Sequence, residues 1–184
     1  MNRIIIFIGI LAIIATSCGK SKKREKAIDE INNLTKEFES SISDYNFDLN
    51  KAHQLAELYN NFISEFPKDS VVPEMTIKLS ILQASYLGET QLAVQNLESL
   101  VDKFPDSEQA PQALFLAGDY YQYKLKEFDK ARNCYEKMVE KYPKDPLTAQ
   151  ARILLQNLGK SPEELLDIIL DKKAEEEAAN QKAN

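Results

Sequence analysis

Apolar residues recur every three or four positions along most of the chain, which is the spacing of one face of an α-helix. Between about Arg24 and Tyr45 this stripe contains Ile28, Ile31, Leu34, Phe38, Ile42 and Tyr45. A second stripe follows Asp48, a residue suited to capping a helix, and contains Ala52, Leu55, Tyr59, Phe62 and Phe66. The pattern predicts two amphipathic helices, the second ending at Pro67.

The chain also repeats itself. The pairs Phe66-Pro67, Phe104-Pro105 and Tyr142-Pro143 lie 38 residues apart. The expected core positions of the helices that end at the last two pairs shift by the same 38 residues: Ala93, Leu97, Leu100, Val101 and Phe104 match Ala131, Tyr135, Met138, Val139 and Tyr142. A fixed period of this length is typical of stacked helical repeats, because one helix pair cannot bury its apolar faces alone. We therefore predict helix pairs stacked in series.

The end of the repeated region has its own signals. A shorter helix is expected from about Pro146 to Leu158, with Ala149, Ile153, Leu154 and Leu158 on its core side. Ser161-Pro162-Glu163-Glu164 is a strong helix-start signal. The helix that follows carries Leu165, Leu166, Ile169 and Leu170, and we predict that it caps the array. Residues 173–184 are polar and are expected to form a tail.

Six positions of the third predicted helix pair resemble the tetratricopeptide repeat (TPR): Ala117, Gly118, Tyr121, Ala131, Tyr135 and Pro143. The resemblance implies an all-α, TPR-like α-solenoid of about four antiparallel helix pairs with a C-terminal capping helix, over residues 27–172. The period of 38 exceeds the usual ~34, mainly through the connection after each Pro. Turns such as Phe104-Pro105-Asp106-Ser107 resemble those of bacterial outer-membrane lipoproteins of the BamD and CpoB (YbgF) type.

The first residues have the order of an export signal. Arg3 precedes an apolar run from Ile4 to Ala15, and small residues follow it. Ala15-Thr16-Ser17-Cys18-Gly19 resembles the lipobox of bacterial lipoproteins, which implies a signal peptide at 1–17 and lipid on Cys18. The alternative is an ordinary secretory signal with an incidental cysteine. Gly19, rather than Asp, implies an outer-membrane destination, facing the periplasm.

Residues 18–26 are expected to connect the lipid to the helical domain. They contain Lys20, Lys22, Lys23, Arg24 and Lys26. These charges either attract anionic lipid headgroups or form a solvated linker, and both interpretations stay open. We call this stretch the basic tether.

Charge and cysteine content exclude two classes of protein. The chain has a formal charge of −6, and loss of residues 1–17 removes one Arg and no acid, leaving 22 basic against 29 acidic side chains, or −7. This balance argues against a nucleic-acid partner. Only Cys134 would remain beside a lipidated Cys18, so a disulfide scaffold is excluded, and we expect Cys134 to be packed rather than reactive.

We expect no catalytic residues, cofactor or metal, because His53 is the only histidine and has no ligand set at suitable spacing. Binding is the better hypothesis, since stacked helix pairs form a concave face from the first helix of each pair. The family register places these residues there: Glu74, Ile77, Ile81, Gln112, Phe115, Asp119, Gln122, Tyr123 and Ile153. Ile77, Phe115 and Ile153 would form an apolar ladder for an extended or helical peptide. Alternatively, these residues pack between repeats.

The resemblance favours a non-enzymatic, lipid-anchored scaffold that binds other envelope proteins. A BamD-like role in outer-membrane protein assembly is the most specific version. A CpoB-like role in cell-wall and division coordination, or a pilus pilotin role, would leave the same traces. A surface-exposed ligand-capture lipoprotein is the alternative of another class.

Overall fold

The computed structural model describes residues 2–43, 47–161, 163–171 and 173, with the backbone alone for residues 2–18. Every regular element in this part of the chain is helical, which confirms the predicted all-α class. The helices are α1 (Asn2–Ser43), α2 (Leu49–Glu65), α3 (Val72–Leu82), α4 (Thr90–Lys103), α5 (Gln109–Asp119), α6 (Phe128–Lys141), α7 (Leu147–Asn157) and α8 (163–171). Two π-helical segments, Gln83–Leu87 and Tyr120–Leu125, continue α3 and α5.

The chain divides into two compact units, Met1–Gln109 and Ala110–Asn184. In the first unit α1 packs on α2, α2 on α3, and α3 on α4. Its core includes Ile31, Phe38, Ala52, Leu55, Tyr59, Phe62, Leu79 and Leu82, largely as the two stripes predict. In the second unit α6 packs on α7 and on the preceding π-helical segment.

The three aromatic-Pro turns share one backbone conformation. In each, the N–H three residues later donates to the carbonyl of the aromatic residue, at 2.9, 3.1 and 3.0 Å for Phe66, Phe104 and Tyr142. Proline after each aromatic residue ends the helix because it has no N–H to donate and clashes with the preceding turn. The 38-residue spacing therefore reflects a repeated structure as well as a repeated sequence.

The first helix of each repeated pair also ends in the same way. Gly88 and Lys126, 38 residues apart, both adopt left-handed backbone conformations, with φ of 71° and 60°. Beside them, the N–H groups of Glu89 and Glu127 donate to the carbonyls of Gln83 and Tyr121 at 2.9 and 2.8 Å. This conformation satisfies carbonyls that a helix end leaves free.

The predicted positions of close helix packing are confirmed. Ala93 and Ala131 are both fully buried. Asp48 caps α2, its carboxylate accepting from the N–H groups of Asn50 and Lys51 at 3.0 and 3.2 Å. The start signal of α8 is present too, because Ser161 and Glu164 exchange hydrogen bonds of 2.7 and 3.2 Å.

The N-terminal region differs from the expected tether. Helix α1 runs without a break through residues 18–26, because nothing there but Gly19 disfavours a helix and several basic side chains find acidic partners. Arg24 forms a two-point ion pair with Asp69, and Lys23 and Lys26 pair with Glu65 and Glu30. Folded contacts therefore begin before residue 27.

The C-terminal packing also differs from expectation. The buried residues of α7 are Thr148 and Ala151, whereas Ala149 and Ile153 are exposed. The cause is a register one position away from the expected stripe, anchored by the Thr148 hydroxyl, which donates to the carbonyl of Tyr142 at 2.6 Å. Four apolar residues of α8 were expected to pack against the array, and three of them, Leu166, Ile169 and Leu170, are exposed.

Some predictions concern residues outside this description. The side chains of Cys18 and the signal segment, Tyr45, Pro162 and most of the tail (174–184) belong to this group. The domain boundaries proposed from the sequence stay predictions. Within the described residues, none of the helices combines the length and apolarity needed to traverse a lipid bilayer.

Candidate protein-binding cleft

A cleft of about 240 Å³ opens in the first unit where α1 and α3 lie over α2. Its lining is mainly apolar: Thr35, Phe38, Glu39, Ile42, Leu55, Tyr59, Lys78, Ile81, Leu82 and Tyr86. Helices α1 and α3 are the first helices of their pairs, so the cleft lies on the face that the repeat pattern assigns to binding. We call it the α1–α3 cleft.

Two aromatic rings, Phe38 and Tyr86, line one end of the cleft, and a third, Phe47, packs beside them. The Tyr86 ring lies edge-on to Phe38 at 5.2 Å between centroids and stacks on Phe47 at 5.5 Å. Phe38 is buried, whereas Phe47 and Tyr86 are 46% and 37% exposed. Exposed aromatic rings held by a buried one supply contact area at little cost in conformational entropy.

The floor of the cleft is fixed by packing. Tyr59 is buried, and its hydroxyl lies 3.4 Å from the Thr35 hydroxyl, which itself donates to the Ile31 carbonyl at 2.8 Å. Burial raises the pKa of Tyr59 above its ordinary value. The phenol therefore stays neutral and the floor uncharged at physiological pH.

The edge of the cleft carries charges of both signs. Glu39 comes from α1 and Lys78 from α3, and Lys78 pairs with Glu74 at 2.7 Å. The hydrogen bond to Glu74 raises the pKa of Lys78, so the ammonium stays protonated. This arrangement can orient a polar backbone or a charged residue beside an apolar anchor, and it holds no group placed for proton transfer.

The predicted groove residues of the first unit have unequal environments. Ile81 lines the α1–α3 cleft and is 37% exposed. Glu74 is exposed at its edge through the pair with Lys78. Ile77 is buried, which is the packing alternative considered from the sequence.

In the second unit, Gln112, Tyr123 and Ile153 are exposed, whereas Phe115 is buried against the Tyr135 ring at 6.1 Å between centroids. Ile77 and Phe115 are thus inside and Ile153 is 59% exposed, so the three do not form an exposed apolar ladder. The physical reason is helix geometry: successive side chains point about 100° apart, so a shift of one position moves a residue from the groove face to the core.

Asp119 and Gln122 meet at the hydroxyl of Tyr135. The hydroxyl lies 2.8 Å from Asp119 Oδ1 and 3.1 Å from Gln122 Oε1, and its single proton is donated to one acceptor at a time. Burial raises the pKa of Asp119, and the hydrogen bond from Tyr135 lowers it in part. Burial, and then the Asp119 carboxylate, raise the pKa of Tyr135. These hydrogen bonds connect α5 and the segment after it to α6, so the three side chains already serve as partners for one another.

A larger cavity, about 310 Å³, lies between α2 and α4. Its polar lining includes Asn60, Ser64, Asn96, Ser99 and Lys103. The Asn96 amide already donates to the Gln83 side chain at 2.9 Å. We favour the smaller α1–α3 cleft, because it combines exposed aromatic rings with an apolar floor, the usual chemistry of a recognition site.

Sequence reasoning found Ile81 and missed the aromatic end of the cleft. Phe47 stands between two helical stripes and Tyr86 lies off the core face of α3, so neither belongs to a periodic pattern. The available signal was that both are large, apolar side chains at positions where a solvated helix end favours polar ones. In the described residues, no cluster of three or more His, Cys, Asp or Glu side chains is arranged to hold a metal ion.

Comparison with known families identifies the class of the repeats. The profile of the tetratricopeptide-repeat family matches residues 77–107 and 112–145, which contain most of α3 to α6. The match supports a tetratricopeptide-repeat protein, and the fold is all-α and TPR-like. Such repeats are typically non-enzymatic scaffolds that bind other proteins. Among curated proteins, none matches this chain.

Proposed function

We propose that this protein is a lipid-anchored, non-enzymatic adaptor that holds other envelope proteins through the α1–α3 cleft. The observation that carries the proposal is the aromatic end of that cleft, which Phe38 and Tyr86 line and where the exposed Phe47 ring stacks on Tyr86. An extended or helical segment of the partner would place an apolar side chain over Ile81, with Lys78 and Glu39 orienting its polar groups.

The anchor would be lipid on Cys18, with the chain facing the periplasm from the outer membrane. The lipobox-like segment and Gly19 support this placement. Arg24, six residues after Cys18 on the same helix, pairs with Asp69. At ~1.5 Å per residue, the folded unit would begin roughly 9 Å from the lipid attachment. A BamD-like role in outer-membrane protein assembly is the most specific form of the proposal.

Two measurements test the anchor. Cells fed labelled palmitate should label the wild-type chain and the Cys134→Ser variant and leave Cys18→Ser unlabelled. Label on Cys18→Ser would contradict the anchor. Protease added to intact cells should spare the protein, whereas its digestion would favour a surface ligand-capture lipoprotein.

Site-specific crosslinking tests the cleft. A photo-reactive amino acid at position 81 should yield discrete adducts with envelope proteins in living cells. The matched control is position 92, where Leu92 is 44% exposed on α4 and does not line the cleft. Equal adducts from both positions would show that the cleft is not the binding site.

A further inference from the structure

Helix α8 exposes a continuous apolar face in the second unit. Leu166, Ile169 and Leu170 are 55%, 61% and 54% exposed. Their spacing of three and four places them on one side of the helix. Leu165, beside Ile169 around the helix, and Ile168 beyond it are half-buried. Contiguous apolar side chains that are exposed on one side of a helix indicate an interaction surface.

The same helix is strongly acidic beside that face. Residues 163–171 contain Glu163, Glu164, Asp167 and Asp171, and the first basic side chains, Lys172 and Lys173, follow at the C-terminal end. At 100° per residue, Glu163 and Asp167 lie next to Leu170, and the other two acids lie beyond them. The surface is therefore an apolar stripe with a negative border on one side. We call it the α8 stripe.

The first turn of helix α8 is stabilised by a capping box. The Ser161 N–H donates to Glu164 Oε2 at 2.7 Å, and the Glu164 N–H donates to Ser161 Oγ at 3.2 Å. These hydrogen bonds support the helical conformation without using any residue of the stripe. A partner would thus meet residues that are already helical, which reduces the entropic cost of binding.

We infer that the α8 stripe docks a basic amphipathic helix of a partner protein. Leucine-like residues of that helix would cover Leu166, Ile169 and Leu170, and its Lys or Arg residues would face Glu163 and Asp167. Charge decides between the possible occupants. A second copy of α8 would bring like charges together, and an anionic membrane surface would repel the acidic border, whereas a basic helix complements it.

This surface goes beyond the proposed function, since none of its residues lines the α1–α3 cleft. The test uses the full lipid-anchored chain in discs of uncharged phosphatidylcholine. The probe is a fluorescent 18-residue helical peptide of Leu and Lys at helical spacing, measured by anisotropy, with empty discs as the blank. A peptide with Glu in place of every Lys is the charge control.

The wild type should bind the Lys peptide, and the triple variant Leu166→Ser, Ile169→Ser, Leu170→Ser should bind at least tenfold more weakly. Asp167→Asn should weaken binding about threefold, and added salt should weaken it further. Leu92→Ser, which changes an exposed apolar residue elsewhere, should leave it unchanged. Circular dichroism should show equal helix content in all variants.

Three outcomes would overturn the inference. The triple variant could bind as tightly as the wild type. The Glu peptide could bind as tightly as the Lys peptide. Alternatively, sedimentation could show a wild-type dimer that the triple variant dissociates, which would assign the stripe to a second copy of the chain.

Discussion

At the scale of single residues, Tyr135 determines what its neighbours can be. A Cβ atom added to Gly118 would lie 2.4 Å from Cε1 of the buried Tyr135 ring, far inside contact distance. The equivalent positions 38 residues earlier hold Ser80 and Leu97, both fully buried. In the earlier repeat, Ser80 is larger than the glycine and Leu97 is smaller than the tyrosine. The sizes of the two residues therefore change together.

We predict that Gly118→Ala lowers the free energy of unfolding by ~1–3 kcal/mol, because the methyl group overpacks the interface with Tyr135. In a Tyr135→Leu background the same change should cost less than ~1 kcal/mol. Urea unfolding of the single and double variants measures this coupling. Ser80→Ala is the control, since Ser80 already has a Cβ atom at that repeat position. Equal costs of Gly118→Ala in both backgrounds would contradict the contact.

Two carboxylates should affect the pH dependence of stability with opposite sign. Burial raises the pKa of Asp119, so its stabilising contribution is full below the unfolded value of ~3.9 and is lost as pH rises through the folded pKa. Asparagine cannot ionise, so the Asp119→Asn variant does not lose this stability as pH rises. The free energy of unfolding of the variant, relative to wild type, should therefore rise between pH 3.5 and 7. A difference that does not change with pH would contradict the raised pKa.

Asp69 is the opposite case. The hydrogen bond from Arg24 lowers the pKa of Asp69, so its contribution is present above ~3.9 and is lost as pH falls through the folded pKa. Asp69→Asn should therefore destabilise the protein at pH 6, and this loss should shrink as pH falls below ~3.9. Urea unfolding from pH 6 downward gives the measurement. A loss that stays constant over this range would contradict the lowered pKa of Asp69.

At the scale of helices, the best-predicted features are the ends. Local geometry determines these ends, so residues close in sequence are enough to predict them. Examples are the prolines, the Asp48 cap and the Ser161–Glu164 capping box. The continuity of α1 through the basic tether was not predictable in the same way. It depends on the ion pair between Arg24 and Asp69, 45 residues apart, and such pairing leaves no periodic signal.

The two left-handed helix ends provide a matched prediction. Gly88→Ala should lower the free energy of unfolding by about 1 kcal/mol, because a Cβ atom strains that conformation although the surrounding space is open. Lys126→Gly should raise it by up to about 1 kcal/mol, because it removes the same strain. Thermal or urea unfolding measures both, and changes of the same sign would contradict the shared conformation.

Close helix packing makes a further prediction. Ala131→Leu should cost ~1–3 kcal/mol, because Ala131 is fully buried and the added atoms have no space. Ala149→Leu is the control: Ala149 is exposed on α7, although the sequence pattern had placed it in the core. It should change stability by less than ~0.5 kcal/mol. A large cost of Ala149→Leu would mean that Ala149 is buried, as the sequence pattern predicts.

At the scale of the whole molecule, the sequence predicted the repeat and the helix order, because both are periodic. It could not separate groove from core. Ile77 and Ile81 are one helical turn apart, and only the latter lines the cleft. The aromatic end of the cleft was also hidden, since Phe38 and Tyr86 meet only through the packing of α1 on the following helices.

The affinity of the partner crosslinked from position 81 tests the central claim most directly. Ile81→Asp should weaken binding of that purified partner at least tenfold, because a carboxylate would sit on the apolar floor of the cleft. Asp stands at the equivalent position of the next repeat, Asp119, so the helix itself tolerates it. Leu92→Asp should leave the affinity unchanged. Equal affinity for wild type and Ile81→Asp would contradict the account.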